Sequence, residues 1–319
     1  MGVRQRISAK LALPAIVIIG VLAFAAVDVE ANGRAVNASN ASTPSTNVAS
    51  STRVSPIAPI AVAPPDPSVL AAAVQLAITS SGAAVGVSLV ELGGTDPLTW
   101  SANGGEVFTA ASTYKLAALM LEAENIAAGR TDPNGVVCFQ PDDYEAGWFD
   151  DYTDGACFTR NELALRAGTY SDNTAGHMLV RDVGGADALN AWAASLGATN
   201  SAFFVDNTTT ADDLAALWLA EADGTIGGAA AQAWLYPVLT GTRTESGVPT
   251  GVPSDVVVVH KTGTIDLVDN DAALVTSGPD GPFVLVVMTD GLGGAAGWQL
   301  IASIAADVWQ FETERPLYA

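Results

Sequence analysis

The features that most constrain the fold are three apolar segments at the two ends of the folded part of the chain. Residues 83–92 alternate apolar with small or polar residues, which predicts a strand. The runs Val256–Val259 and Phe283–Thr289 are continuous and rich in β-branched residues, which predicts strands buried on both faces. Because helical patterns lie between these segments, the sequence predicts an α/β sheet assembled from distant parts of the chain, with a helical region in the middle.

The helical patterns are rich in Ala and Leu. They cover residues 69–77, 112–128, 186–196, 210–222 and 297–311. Gly129 follows the second pattern at the expected C-cap position, and Thr159–Glu162 forms a capping box that opens another helix. A short strand is predicted at Leu98–Ser101, after the turn Gly93–Pro97.

The N-terminal 67 residues differ from the rest of the chain. Arg4, Arg6 and Lys10 precede the uncharged apolar stretch Leu11–Val27, so residues 1–31 are predicted to be a cleaved signal peptide or a retained membrane anchor. Residues 32–67 are rich in Ala, Ser, Thr and Pro, a composition that predicts a linker. A domain over residues 68–315 follows it. Both alternatives place that domain outside the cytoplasm, secreted or in the cell envelope, with a membrane contact only through the N-terminal segment.

The charge balance restricts the partners. The formal net charge is −21 and the pI is about 4.1, which excludes a nucleic-acid backbone binder. After position 66 the chain holds 8 basic and 31 acidic residues, so a substrate carboxylate must be held by local cations. The three lysines of the chain are Lys10, Lys115 and Lys261, and two of these lie in the folded part.

The chain has two cysteines and two histidines. Cys138 and Cys157 form a disulfide in an oxidising compartment, worth roughly 3 kcal/mol by the chain-entropy model, or remain two separate buried thiols. His177 and His260 are too few for a His-rich site, and the sequence has no Cys/His cluster with metal-ligand spacing. We therefore expect no metal and no cofactor.

The segment Ser112–Lys115 places a hydroxyl and an ammonium group three residues apart at a helix start. A lysine whose pKa is lowered by desolvation can take the serine proton, and the helix N-terminus favours a developing oxyanion. By chance, S-x-x-K occurs on the order of once in a chain of this length, so the pair alone carries no conclusion.

Two further polar triplets follow along the chain. Ser171–Asn173 offers a hydroxyl and an amide that could pass a proton and hold a carbonyl; the alternative is an Asx turn or helix N-cap. Lys261 and Thr262 follow a predicted strand, where they could bind a carboxylate, and Gly263 would let a substrate backbone approach closely. The alternative there is an ordinary exposed strand end.

Together, the S-x-x-K, S-D-N and K-T-G elements resemble the serine β-lactamase and penicillin-binding protein superfamily, most closely class A β-lactamases. The resemblance covers about residues 68–312 and includes the Thr208–Thr210 run and His260 before Lys261. It implies an antiparallel sheet flanked by helices plus a helical subdomain. It also implies a monomer acting on a small β-lactam or peptidoglycan-like substrate without a cofactor.

The resemblance assigns a role to each motif residue. Ser112 resembles the acylated nucleophile, Lys115 its base, and Ser171 the group that relays a proton to the leaving nitrogen. Asn173 would position Lys115 and the substrate amide. The remaining substrate-binding groups are Lys261, Thr262, Gly263 and Thr264. The backbone N–H groups of Ser112 and Thr264 would form an oxyanion hole, with about 3 kcal/mol of transition-state stabilisation for each donor.

One family element is missing. Class A β-lactamases carry a glutamate in an E-x-x-L-N stretch before the T-T-T run, where it activates the deacylating water. Here Ser201–Asn207 leads straight into the threonines, and Asp206 is interpreted as a structural or N-cap residue. Between Ser171 and Lys261 the glutamates are Glu221, in a predicted helix, and Glu245, in a Gly/Pro-rich loop; neither fits this role.

Three functions are therefore open. The first is an exported serine hydrolase that forms an acyl-serine with β-lactams or related amides and then hydrolyses it. The second is a D-Ala-D-Ala carboxypeptidase, an esterase or a slow penicillin-binding protein on the same fold. The third is a non-catalytic cell-surface binding domain, against which the intact motif residues argue.

Overall fold

The structure is a computed structural model that describes residues 66–94 and 96–315. The predicted signal peptide or anchor and all but the last two residues of the predicted linker lie outside the described residues. Within the described part, no helix has both the length and the apolar character needed to cross a bilayer.

A five-stranded antiparallel sheet forms the centre of the domain, in the order β2-β1-β9-β8-β7. Its strands are β1 (Ala84–Glu91), β2 (Thr99–Ala102), β7 (Val258–Ile265), β8 (Val268–Gly278) and β9 (Gly281–Asp290). The N-terminal β1 pairs with the C-terminal β9 along its whole length. The prediction that the sheet is assembled from both ends of the chain is confirmed.

Two strand predictions need correction. The predicted strand Val256–Val259 begins at Val258, because Val256 closes a turn onto the Pro253 carbonyl and Val257 is 49% exposed. β8 was not among the predicted strands. Its first half reads Asp269-Asn270-Asp271, residue types that are depleted in strands, yet all three are fully buried.

Helices cover both faces of the sheet. On one face lie α1 (Pro67–Ser81), α8 (Val248–Gly251) and α9 (Gly294–Glu314). The other side holds α2 (Tyr114–Ala127), α3 (Arg160–Thr169), α4 (Asn173–Asp182), α5 (Gly185–Ser195), α6 (Ala211–Ala222) and α7 (Gly228–Leu235). The five predicted helices correspond to α1, α2, α5, α6 and α9. Gly129 adopts φ +68° just past the end of α2, and Thr159 caps α3 through the backbone N–H of Glu162, as predicted.

Two short ladders complete the domain and frame the site. β3 (Phe108–Thr109) pairs with β6 (Thr208–Thr209), and β4 (Val136–Cys138) pairs with β5 (Cys157–Thr159). Cys138 and Cys157 face each other in the second ladder and are joined by a disulfide, so that prediction is confirmed. The bond closes the segment 139–156, which contributes to the site described below.

Candidate active site

Ser112 lies in a 3-10 turn, Ala111–Thr113, that leads directly into α2. Ala111 has φ +48°, a left-handed conformation that costs a non-glycine residue on the order of 1–3 kcal/mol. The turn places Ser112 Oγ 2.9 Å from Lys115 Nζ, one turn further along. A strained residue beside the hydroxyl indicates that the surrounding packing holds this position.

Lys115 has no solvent-exposed surface. Its Nζ also lies 2.7 Å from the Ser171 carbonyl oxygen and 2.7 Å from Asn173 Oδ1. Both of these partners only accept hydrogen bonds, so a neutral amine must give them its two protons. Its lone pair is then left for the third neighbour, Ser112 Oγ, and the geometry makes neutral Lys115 an acceptor for the serine proton.

The environment of Lys115 favours the neutral form. Burial lowers its pKa to about 7, although the negative charges of Asp172 and Glu145 oppose this shift. A base whose pKa is near the working pH is the most effective at proton transfer.

A second serine–lysine pair stands beside the first. Lys261, in the middle of β7, donates from Nζ to Ser171 Oγ at 2.9 Å and to the Thr262 carbonyl oxygen at 2.8 Å. It is 1% exposed, and burial together with the positive charge of Lys115 lowers its pKa well below the ordinary value, against the opposing charge of Asp271. The direct contact of this lysine is thus the Ser171 hydroxyl.

The segment Ser171–Asn173 fits both interpretations made from the sequence, a helix N-cap and a source of polar side chains for the site. Asp172 is the N-cap of α4 and accepts from the Ala175 N–H, as the N-cap alternative states. Ser171 adopts φ +57° and presents its hydroxyl to Lys261, while Asn173, the first residue of α4, accepts from Lys115. The same turn therefore starts α4 and provides hydrogen-bond acceptors for Lys115 and Lys261.

Gly263 has a different function from the one expected. A Cβ at this position would lie 2.7 Å from the Ala110 carbonyl oxygen and 3.0 Å from the Ser112 backbone nitrogen. The space left by the missing side chain is filled by the turn that carries Ser112, so the close approach is made by protein backbone. Glycine here lets β7 bring Thr264 beside the nucleophile.

One cavity collects the predicted residues. It has a volume of about 220 Å³, and its lining includes Ser112, Ser171, Asn173, Lys261, Thr262 and Thr264. These residues are separated by up to 152 positions in the chain and come from the 3-10 turn before α2, the start of α4 with the residues before it, and β7. Two predicted catalytic or substrate-binding residues do not line the cavity: Lys115, which is fully buried, and Gly263, which spaces β7 from the Ser112 turn.

Arg243 is a cavity residue that the sequence analysis missed. It is exposed at the mouth of the cavity, with its guanidinium 5.1 Å from the centre of the Trp148 ring. An accessible guanidinium is a bidentate partner for a carboxylate, whereas Lys261 is fully engaged by Ser171 and Thr262. No motif marks this arginine in the sequence, because it lies in a loop without regular spacing to the other site residues.

Glu145 is a second residue that was missed. It lines a second cavity of about 340 Å³ that also touches Ser112, Asn173 and Thr264. Its Oε1 accepts from Asn173 Nδ2 at 2.7 Å, and its Oε2 lies 3.1 Å from His177 Nε2. Glu145 precedes Ser171 by 26 positions and so lies outside the segment between Ser171 and Lys261 in which a family-type carboxylate is expected.

The carboxylates considered from the sequence lie elsewhere. Asp206 is exposed, and the N-cap of α6 is Thr210, so its interpretation as an N-cap is wrong. Glu221 accepts from the Tyr236 hydroxyl, and Glu245 is held by Thr242 and His260. None of these three carboxylates lines either cavity, in agreement with the expectation for Glu221 and Glu245.

Known proteins share this architecture. The family model described as the β-lactamase enzyme family matches residues 69–311. A structure of PBP-A matches with a TM-score of 0.71 and 25% identity over 78% of this chain and 98% of that chain. A leucine-to-glutamate mutant of PBP-A, in acyl-enzyme complex with penicillin G, matches with a TM-score of 0.70 and 26% identity over 76% and 95%.

A further solved structure, a β-lactamase from Sphaerobacter thermophilus, matches with a TM-score of 0.68 and 28% identity over 77% of this chain and 97% of that chain. No curated protein matches the sequence. The extent of the family match, the antiparallel sheet and the clustering of the three motifs agree with one another. The chain therefore belongs to the β-lactamase enzyme family and is a serine hydrolase.

Proposed function

We propose that Ser112 is acylated by β-lactams and by related amides, and that the acyl-enzyme is hydrolysed slowly. The observation that carries this proposal is the contact between Ser112 and Lys115. The Lys115 amine is buried and has a pKa of about 7. Two of its three neighbours can only accept hydrogen bonds, so its lone pair faces the Ser112 hydroxyl. This arrangement activates a hydroxyl without a histidine.

Acylation follows from the positions of the side chains. Lys115 takes the proton of Ser112 as Oγ attacks the carbonyl carbon, and the C–N bond of the amide breaks. The backbone N–H groups of Ser112 and Thr264 stabilise the oxyanion. Ser171, hydrogen-bonded to Lys261, gives its proton to the leaving nitrogen and regains the one that Lys115 took from Ser112, so Lys115 is neutral again. A carboxylate on the leaving group is bound by Arg243 and Thr262 at the wall of the first cavity.

Slow hydrolysis is supported by the short connection before β6. Residues 201–207 bring no carboxylate into either cavity. From this segment Phe204 lines the second cavity, where it packs edge-on against Tyr114. Lys115 is then left to activate water for the second step as it does for the first. The structure of a PBP-A mutant in acyl-enzyme complex with penicillin G supports this scheme, because that protein shares the fold and forms an acyl-enzyme.

The location proposed for this activity is outside the cytoplasm. Support comes from the basic residues and the apolar stretch Leu11–Val27 at the N-terminus, and from the disulfide of the folded domain, which persists in oxidising compartments. The protein would then act as a monomer in the cell envelope or as a secreted enzyme.

A fluorescent penicillin tests the proposal. We expect a covalent adduct on Ser112, seen by peptide mass spectrometry, that decays over minutes or longer, and no adduct in Ser112→Ala. Labelling that survives in this variant would show that the nucleophile is another residue, and no labelling of the native chain would favour the non-catalytic domain.

The second candidate is a fast β-lactamase, which the β-lactamase among the structural matches favours. Nitrocefin separates the two functions. Turnover above about 100 per second, within the ordinary enzyme range, would establish the β-lactamase and contradict slow hydrolysis. A single burst of one equivalent followed by slow turnover would support the proposal.

A further inference from the structure

The two cavities lie on different sides of the nucleophile. They share Ser112, Asn173 and Thr264, and each has walls of its own. The first carries Ser171, Lys261 and therefore the leaving group in the proposed reaction. The second cavity is the space left for the other part of the substrate, the group attached to the carbonyl carbon that becomes the acyl-enzyme.

The cavities differ in charge. The first is lined by the guanidinium of Arg243 and by the buried amine of Lys261. The second holds the Glu145 carboxylate and His177, whose Nε2 lies 3.1 Å from Glu145 Oε2, and no lysine or arginine lines it among the described residues. The side chain of Glu145 is 54% exposed, so it can meet a ligand while it keeps its contact with Asn173.

Other groups in the second cavity also accept hydrogen bonds. Asn207 donates from Nδ2 to the Ala111 carbonyl oxygen, but its Oδ1 has no partner among the described residues, although it is buried. The buried hydroxyl of Tyr114, 6% exposed as a residue, likewise has no partner within the described part of the chain. Unpaired buried acceptors cost free energy, which a donor on a ligand would recover.

Glu145 is held in place by its backbone. Its N–H donates to Thr174 Oγ1 at 3.0 Å, and the Thr174 hydroxyl is 2.8 Å from the Glu145 carbonyl oxygen. Nearby, the Trp148 N–H donates to Asp172 Oδ2, and the disulfide closes the whole segment 139–156. The backbone of Glu145 is therefore anchored, and its carboxylate lies beside Asn173 before any ligand arrives.

We propose that the second cavity selects acyl groups that carry an ammonium group close to the reacting carbonyl, with Glu145 as its counter-ion. The inference rests on the proposed acylation of Ser112. The preferred substrate then has a carboxylate on the leaving-group side and an ammonium group on the acyl side, which matches the opposite charges of the two cavities. This class includes α-amino β-lactams and aminoacyl peptides.

Ampicillin and benzylpenicillin provide the test, because they differ only in an amino group on the acyl side chain. At pH 7.0 an α-amino group with a pKa of about 7.7–8.0 is mostly charged. We expect the second-order rate constant for acylation to be about two- to fivefold higher for ampicillin, the range of a partly exposed ion pair. The preference should fall as sodium chloride is raised to 0.5 M, because salt screens such pairs.

Variants at Glu145 locate the effect. In Glu145→Gln, which keeps the size and the amide contact, the ampicillin-to-benzylpenicillin ratio should fall to about one, and Glu145→Lys should reverse it. The ratio is the readout, because Glu145 also raises the pKa of Lys115 and its loss changes both rates together. Glu106→Gln removes the same charge from an exposed position outside both cavities and should keep the native ratio.

The outcomes separate this inference from the proposed function. A ratio of one in the native protein, or a preference that persists in Glu145→Gln, would overturn the inference while benzylpenicillin still labels Ser112. If neither penicillin labels Ser112, the proposed function itself fails, and the assignment of the second cavity to an acyl group fails with it.

Discussion

The site contains two serine–lysine pairs with the same separation and different surroundings. Nζ to Oγ is 2.9 Å in both the first pair, Ser112–Lys115, and the second pair, Ser171–Lys261. Both lysines are buried. The carboxylates of Asp172 and Glu145 limit the fall of the Lys115 pKa to about 7. The positive charge of Lys115, by contrast, lowers the pKa of Lys261 further than burial alone does.

The difference indicates a division of labour. Two ammonium groups in one buried site repel each other, so a proton resides preferentially on the lysine that has the better counter-charges. That lysine is Lys115, which is able to gain and lose a proton near neutral pH. Burial and the charge of Lys115 hold the pKa of Lys261 well below its ordinary value, and Lys261 acts through its hydrogen bond to Ser171. The first pair thus supplies the base and the second pair directs a proton to the leaving group.

The largest effect is expected from Lys115→Met, which keeps an unbranched side chain and removes the amine. Acylation by a fluorescent penicillin should slow by about 10²–10⁴-fold, the usual contribution of a general base. Thermal unfolding controls for the fold, and we expect an unchanged or higher Tm because a buried polar amine is removed. A loss below tenfold with an intact fold would mean that Lys115 is not the base.

Lys261→Met is the matched variant of the second pair. The Ser171 hydroxyl remains and loses only a partner, so we expect acylation to slow by about 10–100-fold, equivalent to one strong hydrogen bond. The comparison is made with the same penicillin under the same conditions. Equal losses in the two variants would show that the division of labour is wrong.

The pH dependence of acylation distinguishes the pairs directly. Because Lys115 must be neutral to take the proton, and its pKa is about 7, the rate should rise with pH. Between pH 6 and pH 8 the neutral fraction, and with it the rate constant, increases about tenfold. This rise should disappear in Lys115→Met and persist in Lys261→Met. An inflection near pH 10 in the native protein would assign Lys115 an ordinary pKa.

The fold was predictable where local pattern and tertiary environment agree. Every residue of the β-branched run Phe283–Thr289 is fully buried in β9, and the Ala-rich patterns form helices. β8 was not predictable, because its polar residues are satisfied by partners far away in the chain. Asp271 accepts from the Val248 N–H and contacts His260, and Asn270 donates to the Thr109 carbonyl oxygen, 161 positions away.

The site divides in the same way. Ser112 and Lys115 are three residues apart on one helical turn, so spacing alone joins them. Glu145 and Arg243 have no such local relation to the motifs, and only the folded loops bring them to the cavities. For Glu145, the available sequence signal was its position in the segment closed by the predicted disulfide. For Arg243, its charge in a chain with few cations was the one signal available.

Gly176→Ala tests how finely the first pair is positioned and has the smallest expected effect. A Cβ on this α4 residue would lie 2.7 Å from Lys115 Cε and 2.8 Å from Tyr114 Oη, so the lysine must shift by a few tenths of an ångström. Because a 1 Å misplacement of a reacting group costs about 10²-fold, we expect acylation to slow about three- to fivefold. The helix gains about 1 kcal/mol from alanine and loses about 1–3 kcal/mol to overpacking, so the Tm should change little. Lys115→Met provides the control: adding Gly176→Ala to it should slow the residual reaction no further, because the displaced amine is already absent. A full additional loss in the double variant would mean that Gly176 acts on the site by a route other than Lys115.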